Sequence, residues 1–404
     1  MDRRQYSTWW QRADLCYQAG QLYFAGRAVR QLAAQFGSRT FVYSFARVRE
    51  NLNRLRQALE EAELAGGFSV LYAMKANRFL PLLTRLQETG LCGIDACSPS
   101  EVELALSCGF SPADISFTAG NLSRADYEQL ARYEGLFMDC DSLHTIRTWA
   151  QHKPGAKIGI RINPAAGVSR EANSTLQYAG KNVTKFGIYQ EQFDEALTTA
   201  AACGLTVTKI HFHTGCGYLT PQLDQLEAVI ERCMWFIERC DQLERVNMGG
   251  GLGVPHDASD QPLDLHQWAR GLKKHFSGTD LHLEVEPGEY LLKDAGLLLL
   301  EKTMVEQKKD TLFLGVDAGF NLAPEPAYYQ LPLQPVPLEL GNGQFFPMRV
   351  VGNINEAIDV WYDESWLPDM EGQEYLALIN AGAYSSSMAS NHCMRGQFKE
   401  FLLT

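Results

Sequence analysis

The sequence predicts an α/β protein in two parts, a parallel (β/α)8 TIM-like barrel and a C-terminal β domain. Three observations carry this. Eight short apolar runs recur through the middle of the chain, amphipathic stretches separate them, and beyond Gly288 the pattern breaks into strands with Pro-, Gly- and Asn-rich connections. Continuous apolar strands alternating with helices imply a parallel sheet covered on both faces. Right-handed crossovers leave an open doubly wound sheet or a closed barrel, and eight units over roughly 250 residues favour the barrel.

The predicted barrel strands are 69–74, 92–95, 114–118, 136–139, 157–162, 207–213, 245–248 and 281–285. Helical patterns fill the gaps at 100–108, 123–133, 142–151, 190–202 and 221–239. Strands are expected again at 290–303, 312–316, 348–352 and 374–379, and five prolines between 324 and 337 preclude a long helix there. The expected division is residues 1–40 as a flanking helix and a strand (21–24) that join the β domain, 41–290 as the barrel, and 291–404 as the β domain.

Of 404 residues 46% are apolar and 21% charged, so a sizeable core can form. A net charge of −12 argues against nucleic-acid or anionic-membrane partners. No apolar run approaches the roughly 20 residues of a membrane span, so a cytoplasmic location is expected. The ten cysteines include no CxxC and read as reduced thiols. His211 and His213 would share a strand face, but no third ligand lies near them in sequence and no metal site is expected.

In such a barrel, reactive groups sit at the C-terminal ends of the strands. Those positions carry Lys75, Asp95, Asn121, Arg161, His213, the run Gly249–Gly250–Gly251 with Gly253, and Glu286. Singly, each has a plainer reading: a strand-end lysine reaching solvent, a tight turn, a core histidine. Together they point to one chemistry. A lysine in a partly dry site can form a Schiff base with a carbonyl, and successive glycine N–H groups can cradle a phosphate. The combination suggests pyridoxal phosphate, with Glu286 keeping its ring nitrogen protonated and His213 stacking on its face.

The motifs YAMKAN (72–77), GIDACSPSEVELAL (93–106), IRINP (160–164), KFGI (185–188), HFHTGCG (211–217), GGGLG (249–253), EVEPG (284–288), VDAGFN (316–321), NEAID (355–359) and NAGAYSSSMASN (380–391) occur in order. On these the chain resembles the fold-type III, alanine racemase-like pyridoxal-phosphate decarboxylases, diaminopimelate decarboxylases most nearly and ornithine decarboxylases more distantly. The resemblance implies that Lys75 carries the cofactor, His213 stacks on its ring and Glu286 pairs with its nitrogen. Asp95, Arg161, Cys216, Gly250, Gly251 and Tyr384 complete that pocket by the same resemblance. It also implies a homodimer in which the NEAID segment enters the partner's active site.

Four departures fall near the expected substrate position. Glu289 stands where the resembled family reads EPGR, Glu325 (in EPAYY, with Tyr329) where it reads RPALY, Asn355 beside Glu356 where it has Cys-Glu, and Cys216 where it has serine. Arginine-to-glutamate exchange reverses a full charge and removes the attraction for a distal carboxylate. Asparagine is not a useful general acid, so the proton that replaces carbon dioxide must come from elsewhere; Glu356, Cys393 and an ordered water are the candidates.

The expected reaction is α-decarboxylation, with Lys75, His213, Glu286 and Glu356 as catalytic residues and Glu289, Glu325, Tyr329, Asn355 and Glu356 near the substrate. The leading expectation for that substrate is a conjugated amino acid, such as citryl-diaminopropionate in siderophore assembly. Free diaminopimelate, lysine or ornithine is the alternative; Glu289, Glu325 and Glu356 could hold the distal ammonium of the basic two. Racemisation and a catalytically inactive binding protein are the other readings; the carboxylate at Glu286, where related racemases use arginine, argues for decarboxylation.

Overall fold

The computed structural model describes residues 7–170, 179–180, 182–213, 215–341 and 343–404. Residues 1–6 of the expected N-terminal segment and Thr214 of the HFHTGCG motif lie outside the described residues. The chain divides into two compact units: Leu52–Gly253 with Gln261–Tyr290, and the described residues up to Asn51 with Val254–Asp260 and Leu291–Thr404. Among the described residues no helix is long and apolar enough to cross a membrane.

The first unit is the barrel. Its strands are β1 (Phe68–Ala73), β2 (Gly93–Ala96), β3 (Ile115–Thr118), β4 (Phe137–Cys140), β5 (Lys157–Asn163), β6 (Thr206–His211), β7 (Arg245–Asn247) and β8 (His282–Val285). Each pairs in parallel with the next, and β8 closes on β1 through Leu283↔Phe68, Glu284↔Ser69 and Val285↔Val70. The outer helices begin where the sequence supplies caps. The side chains of Ser98, Ser123, Ser142 and Asp264 each accept a hydrogen bond from the backbone N–H three residues on.

The barrel interior is partly ionic. Lys209 on β6, 1% exposed, reaches Asp139 Oδ2 at 2.9 Å, Glu284 Oε2 at 3.1 Å and Ser116 Oγ at 2.8 Å. Three strands thereby converge on one buried ammonium, which needs this saturation because a lone charge in a dry core costs several kcal/mol. A cavity of about 250 Å³ opens at the N-terminal ends of the strands, lined by Arg56, Ser69, Ser116, Lys209, Arg245 and Glu284. It lies at the opposite end from the expected chemistry.

The second unit is built on one long strand, β9 (Gly296–Lys308). Its first half pairs antiparallel with Thr40–Ser44 on one side and Tyr375–Ile379 on the other; its second half pairs with Thr311–Val316. Thr40–Ser44 also pairs in parallel with Lys399–Leu403. The expected domain start at residue 41 therefore cuts through a strand of the β sheet. Gln21–Phe24 forms as expected, within a small three-stranded sheet. Residues 290–295, read as the start of a strand, instead fall in the helical turn Glu289–Leu292 and a 3-10 turn, Lys293–Ala295. Leu297, Leu299, Val336, Ala377 and Ile379 pack with Leu22, Phe24, Val29 and Leu32 in one buried cluster.

Candidate active site

Lys75 sits in the 3-10 turn Met74–Ala76 that follows β1. The turn is fixed on both sides: Ala73 N–H donates to the Pro287 carbonyl at 3.2 Å, and Tyr72 Oη donates to the Asn77 carbonyl at 2.7 Å. Lys75 Nζ lies 3.8 Å from Asp95 Oδ2, with its side chain 41% exposed. Asp95, on β2, is fully buried, and among the described residues none donates a hydrogen bond to its oxygens. Burial, then the neighbouring Glu286, pushes its carboxyl up to about 7. The attraction of the half-solvated lysine is screened and does not cancel that rise.

Glu286 immediately follows β8 and is 5% exposed. Its Oε1 accepts from Asn247 Nδ2 at 2.7 Å, and its Oε2 lies 3.4 Å from His211 Nε2. Burial raises its pKa, opposed by Lys75, Lys209 and the Asn247 hydrogen bond. His211 is pushed down to about 3 by burial and is neutral. His213, two residues past β6, accepts the Gly250 N–H on Nδ1 at 3.2 Å, and its Nε2 lies 4.0 Å from Cys216 Sγ. Burial holds its pKa well below the ordinary imidazole value, so it presents a neutral, flat ring.

The glycine turn leaves no room for side chains. A Cβ on Gly250 would stand 2.2 Å from the Glu286 carbonyl oxygen, and one on Gly251, at φ +102°, 2.5 Å from that of Gly215. No side chain therefore intrudes at the end of β7, where the Gly249 N–H is taken by Asn247 Oδ1 and the Gly250 N–H by His213 Nδ1. Arg161, on β5, lies with its guanidinium 4.8 Å from the Phe186 ring centroid of the KFGI motif. Among the barrel residues, Lys75, Asp95, His213, Cys216, Gly250, Gly251 and Glu286 are joined by these contacts or by charge interaction across the strand ends.

Glu289 and Arg170 both border Gly217. A Cβ built on Gly217 would stand 3.4 Å from Glu289 Oε2 and 3.8 Å from Arg170 Cδ. The ladder that brings them there pairs Val168 with Gly215 and Ser169 with Cys216, so Arg170 continues it beside Gly217.

The remaining expected residues belong to the β unit. Glu325, offered from sequence as a holder of a substrate ammonium, is buried and its carboxylate is engaged by the wholly buried Lys293, which also donates to the Ala383 carbonyl at 3.1 Å. The structure thus gives Glu325 a resident cation. Glu356 Oε1 lies 3.2 Å from His392 Nε2. Asn355 is exposed, Tyr329 is half-buried, and Tyr384 takes a left-handed backbone at φ +53°.

Asn247, His211, Arg170 and Lys293 were not singled out as site residues from sequence. Asn247 carried a signal, a polar residue two positions before a glycine run. Lys293 and Arg170 carried none, because their partners are distant in the chain.

A primary amine, a neutral imidazole, a side-chain-free backbone turn and a dry carboxylate fit pyridoxal phosphate. Asp95, buried without a hydrogen-bond donor among the described residues, lies beside the lysine that would carry it. Residues 45–293 match the pyridoxal-dependent decarboxylase family in its pyridoxal binding domain. The chain is 32% identical to diaminopimelate decarboxylase of Methanothermobacter thermautotrophicus over 95% of its length and 91% of that protein. It is 28% identical to the Escherichia coli K12 enzyme of the same name, over 92% and 90%. The crystal structure of Helicobacter pylori diaminopimelate decarboxylase complexed with L-lysine superposes with a TM-score of 0.80 at 27% identity, covering 93% of this chain and 94% of that one. The chain accordingly belongs to the pyridoxal-dependent decarboxylases, and is a carboxy-lyase that acts with pyridoxal phosphate on an amino acid.

Proposed function

We propose that the substrate is a diamino acid already joined to a carboxylate-bearing acyl group, with citryl-diaminopropionate as its type, in specialised biosynthesis such as that of a citrate-based siderophore. The observation that carries this is the charge arrangement at the two family arginine positions. Glu325 is taken up by Lys293, and Glu289 shares the surroundings of Gly217 with Arg170. Neither glutamate is left alone to attract a distal ammonium, which weakens lysine and ornithine. Arg170 supplies a cation for an acyl carboxylate. The second reading is diaminopimelate itself, favoured by the names of the relatives.

When bound, pyridoxal phosphate supplies an electron sink for the electron pair left by carbon dioxide. Lys75 Nζ would hold the cofactor by its carbonyl. The side-chain-free Gly249–Gly251 turn would make room for the phosphate, and the neutral His213 ring would lie against the cofactor. Glu286 keeps a proton at the ring nitrogen, a task suited to a buried carboxylate with few competing donors. We assign the proton delivered to carbon to Glu356, whose Oε1 is 3.2 Å from His392 Nε2. That assignment goes with a homodimer in which residues 355–359 reach the partner's site; sedimentation of a monomer at working concentration would defeat it.

The reading is tested by carbon dioxide release from citryl-diaminopropionate, meso-diaminopimelate, L-lysine and L-ornithine, with Lys75→Ala as blank. Release from the conjugate alone is expected. Turnover of meso-diaminopimelate at comparable rates would overturn the substrate assignment.

A further inference from the structure

We infer that Asn247 is a positioning residue for Glu286, held from below by the buried Lys209–Glu284 pair, and that it sets which oxygen the carboxyl turns toward the cofactor. The inference rests on reading Glu286 as the partner of the ring nitrogen.

Asn247 ends β7 with no exposed surface. Its Nδ2 donates to Glu286 Oε1 at 2.7 Å and approaches Glu284 Oε2 at 3.4 Å, while its Oδ1 accepts the Gly249 N–H at 2.8 Å. The amide has one workable orientation, since two carboxylates stand on one side and an N–H on the other; flipping it would set oxygen against oxygen. Glu286 N–H donates to the Gly249 carbonyl at 2.8 Å and closes the ring. One side chain therefore ties the acid at the end of β8 to the glycine turn at the end of β7, and through the Gly250 N–H to His213.

The anchor below is charged. Lys209 and Arg245, at 3.1 Å each, keep Glu284 ionised against its burial. Its fixed negative charge holds the donor end of Asn247 toward the acids. With Oε1 so engaged, Oε2 is the oxygen on the His211 side. Acting on Glu286 are Lys75 after β1, Asp95 on β2, Arg161 on β5 and Lys209 on β6, with the neutral His211 at 3.4 Å; Asp139 on β4, Arg245 on β7 and Glu284 on β8 are the charged groups around Lys209 below.

Two substitutions separate the roles. Asn247→Asp keeps an acceptor for the Gly249 N–H but loses the donor to Glu286 and adds a like charge. Asn247→Ala removes both without adding charge. The readout is the pH titration of the visible absorption of the pyridoxal-phosphate-loaded protein without substrate, beside cofactor affinity, kcat and KM. Asn247→Asp should move the titration midpoint by about one pH unit, the size of one lost hydrogen bond to a charged group. It should lower kcat at least about tenfold with KM within about threefold, and leave cofactor affinity near that of the parent. Asn247→Ala should move the midpoint and also weaken cofactor binding. A parental midpoint in either folded variant overturns the inference. A parent chain that binds no pyridoxal phosphate would instead overturn the assignment of Glu286.

Discussion

Replacing Asp95 by asparagine should stabilise the cofactor-free protein at neutral pH, although it removes half of an ion pair. The carboxyl is wholly buried, receives no hydrogen bond from the described residues, and is held up to about 7 against 3.8 for an exposed aspartate. At about 1.36 kcal/mol per pKa unit, ionising it in the folded state costs about 4 kcal/mol more than in the unfolded chain. Below pH 3.8 the group is protonated in both states and no penalty exists. As the pH rises to about 7, the unfolded chain ionises freely while the folded one resists, and native stability falls; beyond that the loss is complete. Asparagine never ionises, so the stability difference between variant and parent should grow by about 4 kcal/mol between pH 4 and pH 8 and then level off. The 3.8 Å approach of the half-exposed Lys75 returns only a screened part of the cost. Urea unfolding across that range, followed by fluorescence of the buried barrel tryptophans Trp149 and Trp268, measures the difference. A difference independent of pH, or one that shrinks as pH rises, would refute the reasoning.

The remaining predictions concern single groups. Glu325→Ala leaves the buried Lys293 ammonium without its carboxylate, and should cost about 3–5 kcal/mol in urea unfolding. Joint replacement by Lys293→Met and Glu325→Leu should recover most of that loss. Gly250→Ala places a methyl 2.2 Å from the Glu286 carbonyl oxygen, so cofactor affinity by fluorescence titration should fall at least about tenfold. Lys75→Ala should abolish both the visible band of the bound cofactor and carbon dioxide release. Glu356→Gln should slow decarboxylation at least about a hundredfold and, in deuterated water, reduce stereospecific deuterium uptake at carbon.

The eight barrel strands and their helices were legible in the sequence because a strand buried on both faces must be apolar throughout and helix caps use few residue types. Gln190–Ala202, for example, has the bounds its periodicity predicts. Lys75, His213, the glycine turn and Glu286 were legible for a related reason: a lysine, a histidine or a carboxylate at the end of an apolar strand has little structural use, so its presence draws attention. The expected barrel start at residue 41 fell inside the strand Thr40–Ser44, because a run as short as Phe41–Val42–Tyr43 carries no mark of its sheet; its pairing with Gly296–Leu299 supplies that. The partners of the charges were equally hidden. Glu325 looked like a vacancy for a substrate cation until the fold brought Lys293 to it across 32 residues, and Asn247 looked like a strand polar group until β8 set Glu284 and Glu286 beside its amide. Residue type and local period follow from the chain alone, since they reflect burial and backbone geometry. Which charge meets which is decided by the closure of strands far apart in sequence, and the protonation of each acid follows from that meeting.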